Sequence, residues 1–285
     1  MKKIKLLFLT IILFGLTGCI KNNSMEDINI ATSVYPISYV VSSLYGNHST
    51  VNSIYPIDGD TNNFKVTDTL LEQYSDNNLF IFNGLSDEKK YVKKMLKHNN
   101  DLKIIDVTSN MKYEYSIEEL WLDPNNLLTV ANNIKKGFDE YINSTYLTNE
   151  IDKNYYNLKI ELTTLDGKLY SASKNANSNT IIISDDAFKF LEKYGFNVIS
   201  LDPDTITNKA INDAKVALSS GISKSVFVKY KEEVQNDVKD VIDSTGATKR
   251  ELFTMTNLSD IDTEKNDYIA LMNQNIETLK LELYK

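Results

Sequence analysis

Side chains capable of nucleophilic or transition-metal chemistry are scarce in this chain of 285 residues. It contains two histidines, His48 and His98, and one cysteine, Cys19. These counts exclude a zinc cage of Cys and His, a disulfide framework and a Cys–His nucleophile pair. There is no Gly-rich phosphate loop and no HExxH motif, and the adjacent Glu118 and Glu119 do not share a helix face. We therefore expect no enzyme activity, and we expect both histidines on the solvated surface.

Cys19 lies where a lipid anchor would be attached. Three lysines near the N-terminus precede an almost wholly apolar run over residues 6–16, and Leu16-Thr17-Gly18-Cys19 resembles a bacterial lipobox. An apolar helix of this length is too short to cross a bilayer core of about 30 Å. The pattern predicts a signal peptide over residues 1–18, lipidation of Cys19 and a polar tether over residues 19–27. We therefore expect an extracytoplasmic protein anchored to the cell membrane, and the abundance of Asn, Lys, Ile and Tyr favours a Gram-positive source.

The composition limits the class of partner. Hydrophobic residues make up 42% and charged residues 25% of the chain, which is typical of a folded globular protein rather than a disordered or polytopic membrane protein. Asp and Glu outnumber Lys and Arg by 39 to 31, for a formal net charge of −8. Because binding to phosphate backbones needs a basic surface, we expect no nucleic-acid partner.

Short apolar runs alternate with helical stretches in both halves of the chain. This alternation predicts an α/β fold with largely parallel sheets and helices on both faces. The predicted strands are 28–34, 50–55, 79–82, 102–107, 180–183, 197–201 and 226–228. The predicted helices are 39–44, 89–98, 126–137, 187–194, 232–244 and 268–283, whereas 259–264 is predicted to be a loop.

A long helix is predicted in the middle, over residues 148–173. Apolar side chains recur there at spacings of three and four residues, which places them on one face of a helix. They are Ile151, Tyr155, Leu158, Leu162, Leu165 and Leu169. The pattern alone allows a core helix of one domain or a spine between two lobes. We favour two α/β lobes, residues 28–147 and 174–285, joined by this single helix.

Several local motifs occur in the order found in a known family. They are Tyr55-Pro56 with Gly59, Asn83-Gly84-Leu85 with Glu88, Trp121-Leu122-Asp123-Pro124, Ser184-Asp185, and Tyr268–Met272 with Asn275. Together they resemble the metal-receptor (cluster A-I) family of solute-binding lipoproteins, which serve zinc and manganese ABC importers. The resemblance implies a periplasmic-binding-protein-like fold that holds a divalent cation, Mn²⁺ or Zn²⁺, in the cleft between the lobes. It also implies a monomer that delivers this cation to an ABC permease in the membrane.

The resemblance also implies four ligand positions, most often His, His, His or Glu, and Asp. In this sequence they fall on Asn62 or Asn63, Glu119, Asp185 and Met255. Two carboxylates and an amide suit Mn²⁺ or Ca²⁺ better than Zn²⁺. The neutral thioether of Met255 would contribute little to the binding of Zn²⁺ or Mn²⁺. An acid in place of Met255 would then be expected to strengthen binding. The alternative is a surface lipoprotein of the same fold that has lost transition-metal binding and acts in adhesion or as an accessory protein.

Overall fold

The computed structural model describes residues 25–57 and 64–284 of the chain. The predicted signal peptide and Cys19 lie outside these residues. Within the described ranges, no helix combines the length and the apolar character needed to cross a membrane.

The first lobe is built on a parallel sheet. Its described strands are β1 (Ile28–Thr32), β2 (Ser49–Ser53), β3 (Leu79–Phe82) and β4 (Lys103–Asp106), in the spatial order β2-β1-β3-β4. Helices connect the strands, as parallel pairing requires. These helices are α1 (Tyr35–Tyr45), α2 (Asp68–Ser75) and α3 (Lys89–His98). Strand β3 is buried at every position, which explains its unbroken apolar sequence.

Three helices follow the first sheet. They are α4 (Glu119–Leu122), α5 (Pro124–Tyr141) and α6 (Thr145–Lys174). The helix expected over 148–173 is therefore observed, and its thirty residues span about 45 Å. Every member of the predicted apolar stripe is buried except Tyr155, which is half-buried. The stripe belongs to one hydrophobic core that runs continuously through both lobes, so α6 is the spine between them.

The second lobe repeats the topology of the first. Its described strands are β5 (Thr180–Ile183), β6 (Asn197–Ser200), β7 (Ser225–Lys229) and β8 (Thr248–Leu252), in the order β6-β5-β7-β8. All pairings are parallel. Its helical elements are a 3₁₀ segment (Asp186–Tyr194), α7 (Asn208–Ser219), α8 (Asn236–Thr245), α9 (Asp260–Lys265) and α10 (Tyr268–Leu283). The expected fold class, two α/β lobes with parallel sheets, is confirmed.

Three elements of the second lobe differ from the sequence-based expectation. Helix α7 was not predicted, although it buries Ala214, Ala217 and Leu218. Strand β8 was not predicted, because its sequence TKREL is charged and mostly exposed; it lies at the edge of the sheet, where only one neighbour pairs with it. The predicted loop over 259–264 is instead the short helix α9. Its first turn is closed by a capping box, in which Ser259 and Asp262 exchange hydrogen bonds between side chain and backbone.

Candidate functional site

The lobes meet along a seam made by segments that follow the carboxyl ends of strands. The Trp121 indole N–H donates to the carbonyl oxygen of Thr254 at 2.9 Å, and the Tyr268 hydroxyl donates to the carbonyl oxygen of Trp121. The backbone N–H of Leu258 donates to the carbonyl oxygen of Ile57 at 3.0 Å. Trp121 and Tyr268 are both buried, so the lobes are in direct contact here.

Asp123 of the WLDP motif joins the first lobe to the second. Its Oδ1 accepts the backbone N–H of Asn125 and thereby caps α5. The same oxygen accepts the Tyr194 hydroxyl at 2.8 Å. The other oxygen lies 2.7 Å from Nζ of Lys193. Burial and the nearby carboxylates of Asp123 and Asp166 raise the pKa of Tyr194 far above its usual value. The Asp123 carboxylate is therefore committed to structure.

Glu119, the expected second ligand, is the first residue of α4 and is buried. Its Oε1 accepts the backbone N–H groups of Tyr115 and Ser116, at 2.5 and 3.0 Å. Its Oε2 accepts the backbone N–H of Glu114 at 3.1 Å. The carboxylate thus holds the loop that precedes its own helix, and a cation would have to compete with three amide donors.

Asp185, the expected third ligand, follows strand β5 and caps the 3₁₀ segment. Its Oδ1 accepts the backbone N–H of Ala187 at 2.8 Å. Its Oδ2 lies 2.7 Å from Nζ of Lys229, which is also 3.1 Å from Oε2 of Glu232. Although burial opposes the charged form of Lys229, its bonds to these two carboxylates outweigh burial and raise its pKa. Asp185 is therefore already neutralised by a lysine.

The remaining expected positions supply no donor in the described structure. Met255 has no solvent exposure and belongs to the continuous core, with a backbone φ of +66°. Asn62 and Asn63 lie outside the described residues. His98 is exposed as expected, whereas His48 is partly buried and its Nε2 lies 2.6 Å from Oε2 of Glu150. His48 therefore lies at the surface, where its side chain is 27% exposed and pairs with a carboxylate near the start of α6.

The described donors, as they are placed, do not fit a metal ion. Across residues 25–57 and 64–284, no group of three or more His, Cys, Asp or Glu side chains is arranged to hold one. Glu119 is occupied by backbone amides and Asp185 by an ammonium group. Cation binding at these positions therefore requires that existing partners be exchanged.

A cavity of about 700 Å³ opens at the carboxyl end of the first sheet. Its wall is rich in aromatic rings, from Tyr55, Phe64, Tyr91, Tyr113, Tyr115 and Trp121. Glu88 of the NGLxxE motif also lines it; this carboxylate is buried and accepts the backbone N–H of Asn83 at 2.8 Å. Burial raises the pKa of Glu88 to about 7. The backbone at Gly84 packs closely against the Asp106 side chain. Position 84 must therefore be glycine, because a Cβ there would lie 2.0 Å from Oδ2 of Asp106.

Sequence reasoning did not identify Lys229, Lys193 and Tyr194 as the partners of Asp185 and Asp123. Lys229 ends an apolar strand and is followed by further charged residues, so the sequence gives no sign that its side chain turns toward Asp185. Lys193 and Tyr194 lie on the 3₁₀ segment, and only the fold brings them to Asp123. These interactions join residues that are distant in sequence, which local patterns do not encode.

Comparisons with known proteins agree with this architecture. A family model described as "Zinc-uptake complex component A periplasmic" (ZnuA) matches residues 30–281. The manganese-binding lipoprotein MntA of Halalkalibacterium halodurans is 23% identical over 276 residues, which cover 89% of this chain and 87% of that protein.

Solved structures share the fold at low identity. The metal-dependent lipoprotein YcdH of Bacillus subtilis has a TM-score of 0.74 at 20% identity, covering 91% of this chain and 100% of that one. The Zn(II)-bound ZnuA-like domain of Streptococcus pneumoniae AdcA has a TM-score of 0.73 at 17% identity, with coverage of 91% and 100%. Because the family model spans both lobes and the helix between them, the chain belongs to the ZnuA family of solute-binding proteins of zinc- and manganese-type ABC importers.

Proposed function

We propose that this protein is a lipid-anchored receptor that captures a divalent cation at the seam between its lobes and passes it to an ABC permease. The observation that carries the proposal is the family match over residues 30–281, which includes both sheets and α6. The manganese-binding lipoprotein that aligns over most of the chain supports the same class of cargo.

The proposed donors are oxygen atoms from both lobes. Glu119 begins α4, and Asp185 caps the 3₁₀ segment against which α4 packs, so the two carboxylates belong to contacting elements. Asn62 or Asn63 is proposed to add an amide oxygen, whereas the buried Met255 is not a donor. Because Mn²⁺ accepts oxygen ligands more readily than Zn²⁺, which favours nitrogen and sulfur, we propose Mn²⁺ as the preferred cargo.

Cys19 carries the lipid and residues 19–27 form the tether, which joins the body at Met25, a buried residue whose carbonyl oxygen accepts the Tyr45 hydroxyl. The body lies outside the membrane of a Gram-positive cell. The protein works as a monomer with the permease as its partner, without nucleic acid and without catalytic activity. The lobes are residues 28–147 and 174–285, and the helix over 148–173 joins them.

Metal titration tests this function directly. The lipid-free chain from residue 20 onward would be stripped of metal and titrated calorimetrically with Mn²⁺, Zn²⁺ and Ca²⁺. We expect Mn²⁺ to bind with a dissociation constant below about 100 μM, which corresponds to roughly −5.5 kcal/mol. Asp185→Ala should abolish this binding, and Asp213→Ala, at an exposed position on α7, is the control. Absence of binding by all three ions would reject the receptor and favour the fold-only lipoprotein.

A further inference from the structure

Lys229 occupies the position of a cation at Asp185. Its Nζ lies 2.7 Å from Asp185 and 3.1 Å from Glu232, so one ammonium group bridges two carboxylates. The Lys229 side chain is 19% exposed and that of Asp185 is 21% exposed. Both groups are therefore largely withdrawn from water, where charge–charge interactions are stronger than on an open surface.

The topology of the second sheet brings this pair together. Strands β5 and β7 are neighbours although β6 lies between them in sequence, and Ile183 pairs with Phe227. Continuing this parallel register by two residues places Asp185 opposite Lys229. The pair thus lies at the carboxyl edge of the sheet, where the strand order reverses and where open α/β sheets bind ligands.

The surroundings of the pair are acidic. A cavity of about 250 Å³ lies beside it, lined by Asp202, Asp204 and Glu233 as well as by the bridged carboxylates. Lys229 is the only basic residue among the described residues of this lining. Two carboxylates bridged by one ammonium keep a single net negative charge, whereas the same two carboxylates without it would present two negative charges to a divalent ion.

We propose that Lys229 is a tethered competitor of the cargo cation and thereby sets the affinity of the receptor, an inference that rests on the proposed function. A divalent cation reaches Asp185 only when Nζ leaves it, so each binding event breaks an ion pair that the protein makes with itself. Glu232 is the second carboxylate released by that exchange. Removal of the lysine side chain charge leaves the pair free for the metal.

The test compares Mn²⁺ titrations of the lipid-free chain and its variants. Lys229→Met is expected to bind Mn²⁺ at least tenfold more tightly than wild type, and Lys229→Arg, which keeps the charge, is expected to show no such gain. Lys249→Met removes an equivalent charge from the edge strand β8 and should leave affinity within about threefold of wild type. Circular dichroism verifies folding, and Lys229→Gln, which removes the charge but remains polar, replaces Lys229→Met if that variant does not fold.

The outcomes separate this inference from the proposed function. If wild type binds Mn²⁺ but Lys229→Met binds no more tightly, the role of Lys229 is wrong and the receptor stands. If wild type does not bind but Lys229→Met does, and Lys229→Met with Asp185→Ala does not, Lys229 blocks the site and the receptor function of the wild type is rejected. If neither wild type nor Lys229→Met binds, both proposals are overturned.

Discussion

Oδ2 of Asp123 in the first lobe lies 2.7 Å from Nζ of Lys193 in the second lobe. The carboxylate is almost fully buried, whereas the lysine side chain is 41% exposed. The same carboxylate accepts the Tyr194 hydroxyl and caps α5, so one acid links the end of the first lobe to the 3₁₀ segment of the second. This linkage makes Asp123 a sensitive position for the stability of the seam.

Asp123→Asn is expected to lower the free energy of unfolding by about 1–2 kcal/mol, because the hydrogen bonds to a charged acceptor are weakened. Asp123→Ala should cost about 1 kcal/mol more, since it also removes the helix cap. Urea denaturation measures both. Asp87→Asn, which breaks an exposed pair with Lys90, is the control and should change stability by less than about 0.5 kcal/mol. Equal effects at the two aspartates would contradict the role assigned to Asp123.

Leu162 lies on the buried stripe of α6 and has no solvent exposure. Leu162→Ala is expected to destabilise the protein by about 2–5 kcal/mol, because it removes apolar contacts and leaves a cavity. Since the core runs through both lobes, we expect a single unfolding transition that shifts as a whole. Ile160→Ala, on the exposed face of the same helix, is the control. Separate transitions for the two lobes in Leu162→Ala would show that the core is not energetically continuous.

Glu88 is expected to make stability depend on pH. Its folded-state pKa is raised from 4.5 to about 7 by burial, so the folded protein retains a proton that the unfolded chain has lost. The contribution of Glu88 to stability is fully present below pH 4.5 and is lost as pH rises through 7. In Glu88→Gln the side chain is neutral at every pH, so this loss of stability does not occur. The stability of the variant relative to wild type should therefore increase between pH 4.5 and about 7, by on the order of 3 kcal/mol.

Unfolding free energies at pH 4.5, 6 and 7.5 measure this difference. Glu233→Gln, on an exposed loop of the second lobe, is the matched control for the loss of one negative charge. A difference between Glu88→Gln and wild type that stays constant with pH would contradict the assigned protonation of Glu88.

Met255→Asp is expected to destabilise the protein rather than to complete a metal site. The side chain has no exposure, so the substitution would bury a carboxyl group within the hydrophobic core, at a cost of about 3 kcal/mol or more. This reverses the sequence-based expectation that an acid here strengthens binding. Met255→Leu, of similar volume, should cost less than about 1.5 kcal/mol. Thermal or urea unfolding measures the stability of both variants. A stable Met255→Asp protein with increased Mn²⁺ affinity would restore the original expectation.

The sequence was sufficient for the architecture because the fold depends on regular apolar periods. The runs at Leu79–Phe82 and Thr180–Ile183 coincide with strands, and the spacing from Ile151 to Leu169 marked the helix between the lobes. Strand β8 escaped prediction because an exposed edge strand needs few apolar residues. Helix α9 escaped because its capping box, not an apolar face, stabilises its short sequence.

The candidate site could be predicted only in part. Family motifs identified Glu119 and Asp185 as positions of interest, but the chemistry of each carboxylate depends on its partners. Glu119 accepts backbone N–H groups of the preceding loop, and Asp185 pairs with a lysine that is distant in sequence. The Lys229 ammonium reaches Asp185 only because β5 and β7 are adjacent in the sheet. Strand order is a global property, and a linear pattern of residue types does not contain it.

The identical strand order in the two sheets has a consequence for fragments of this protein. The segments in contact at the boundary, around Ile57, Trp121, Lys193 and Leu258, are loops and short helices from both halves. A half-molecule would contain the strands of one complete sheet but would lose one wall of its crevice and part of the core that the two halves share. We therefore expect that dissecting the chain at its central rod would expose apolar surface on both fragments, so that neither fragment folds by itself.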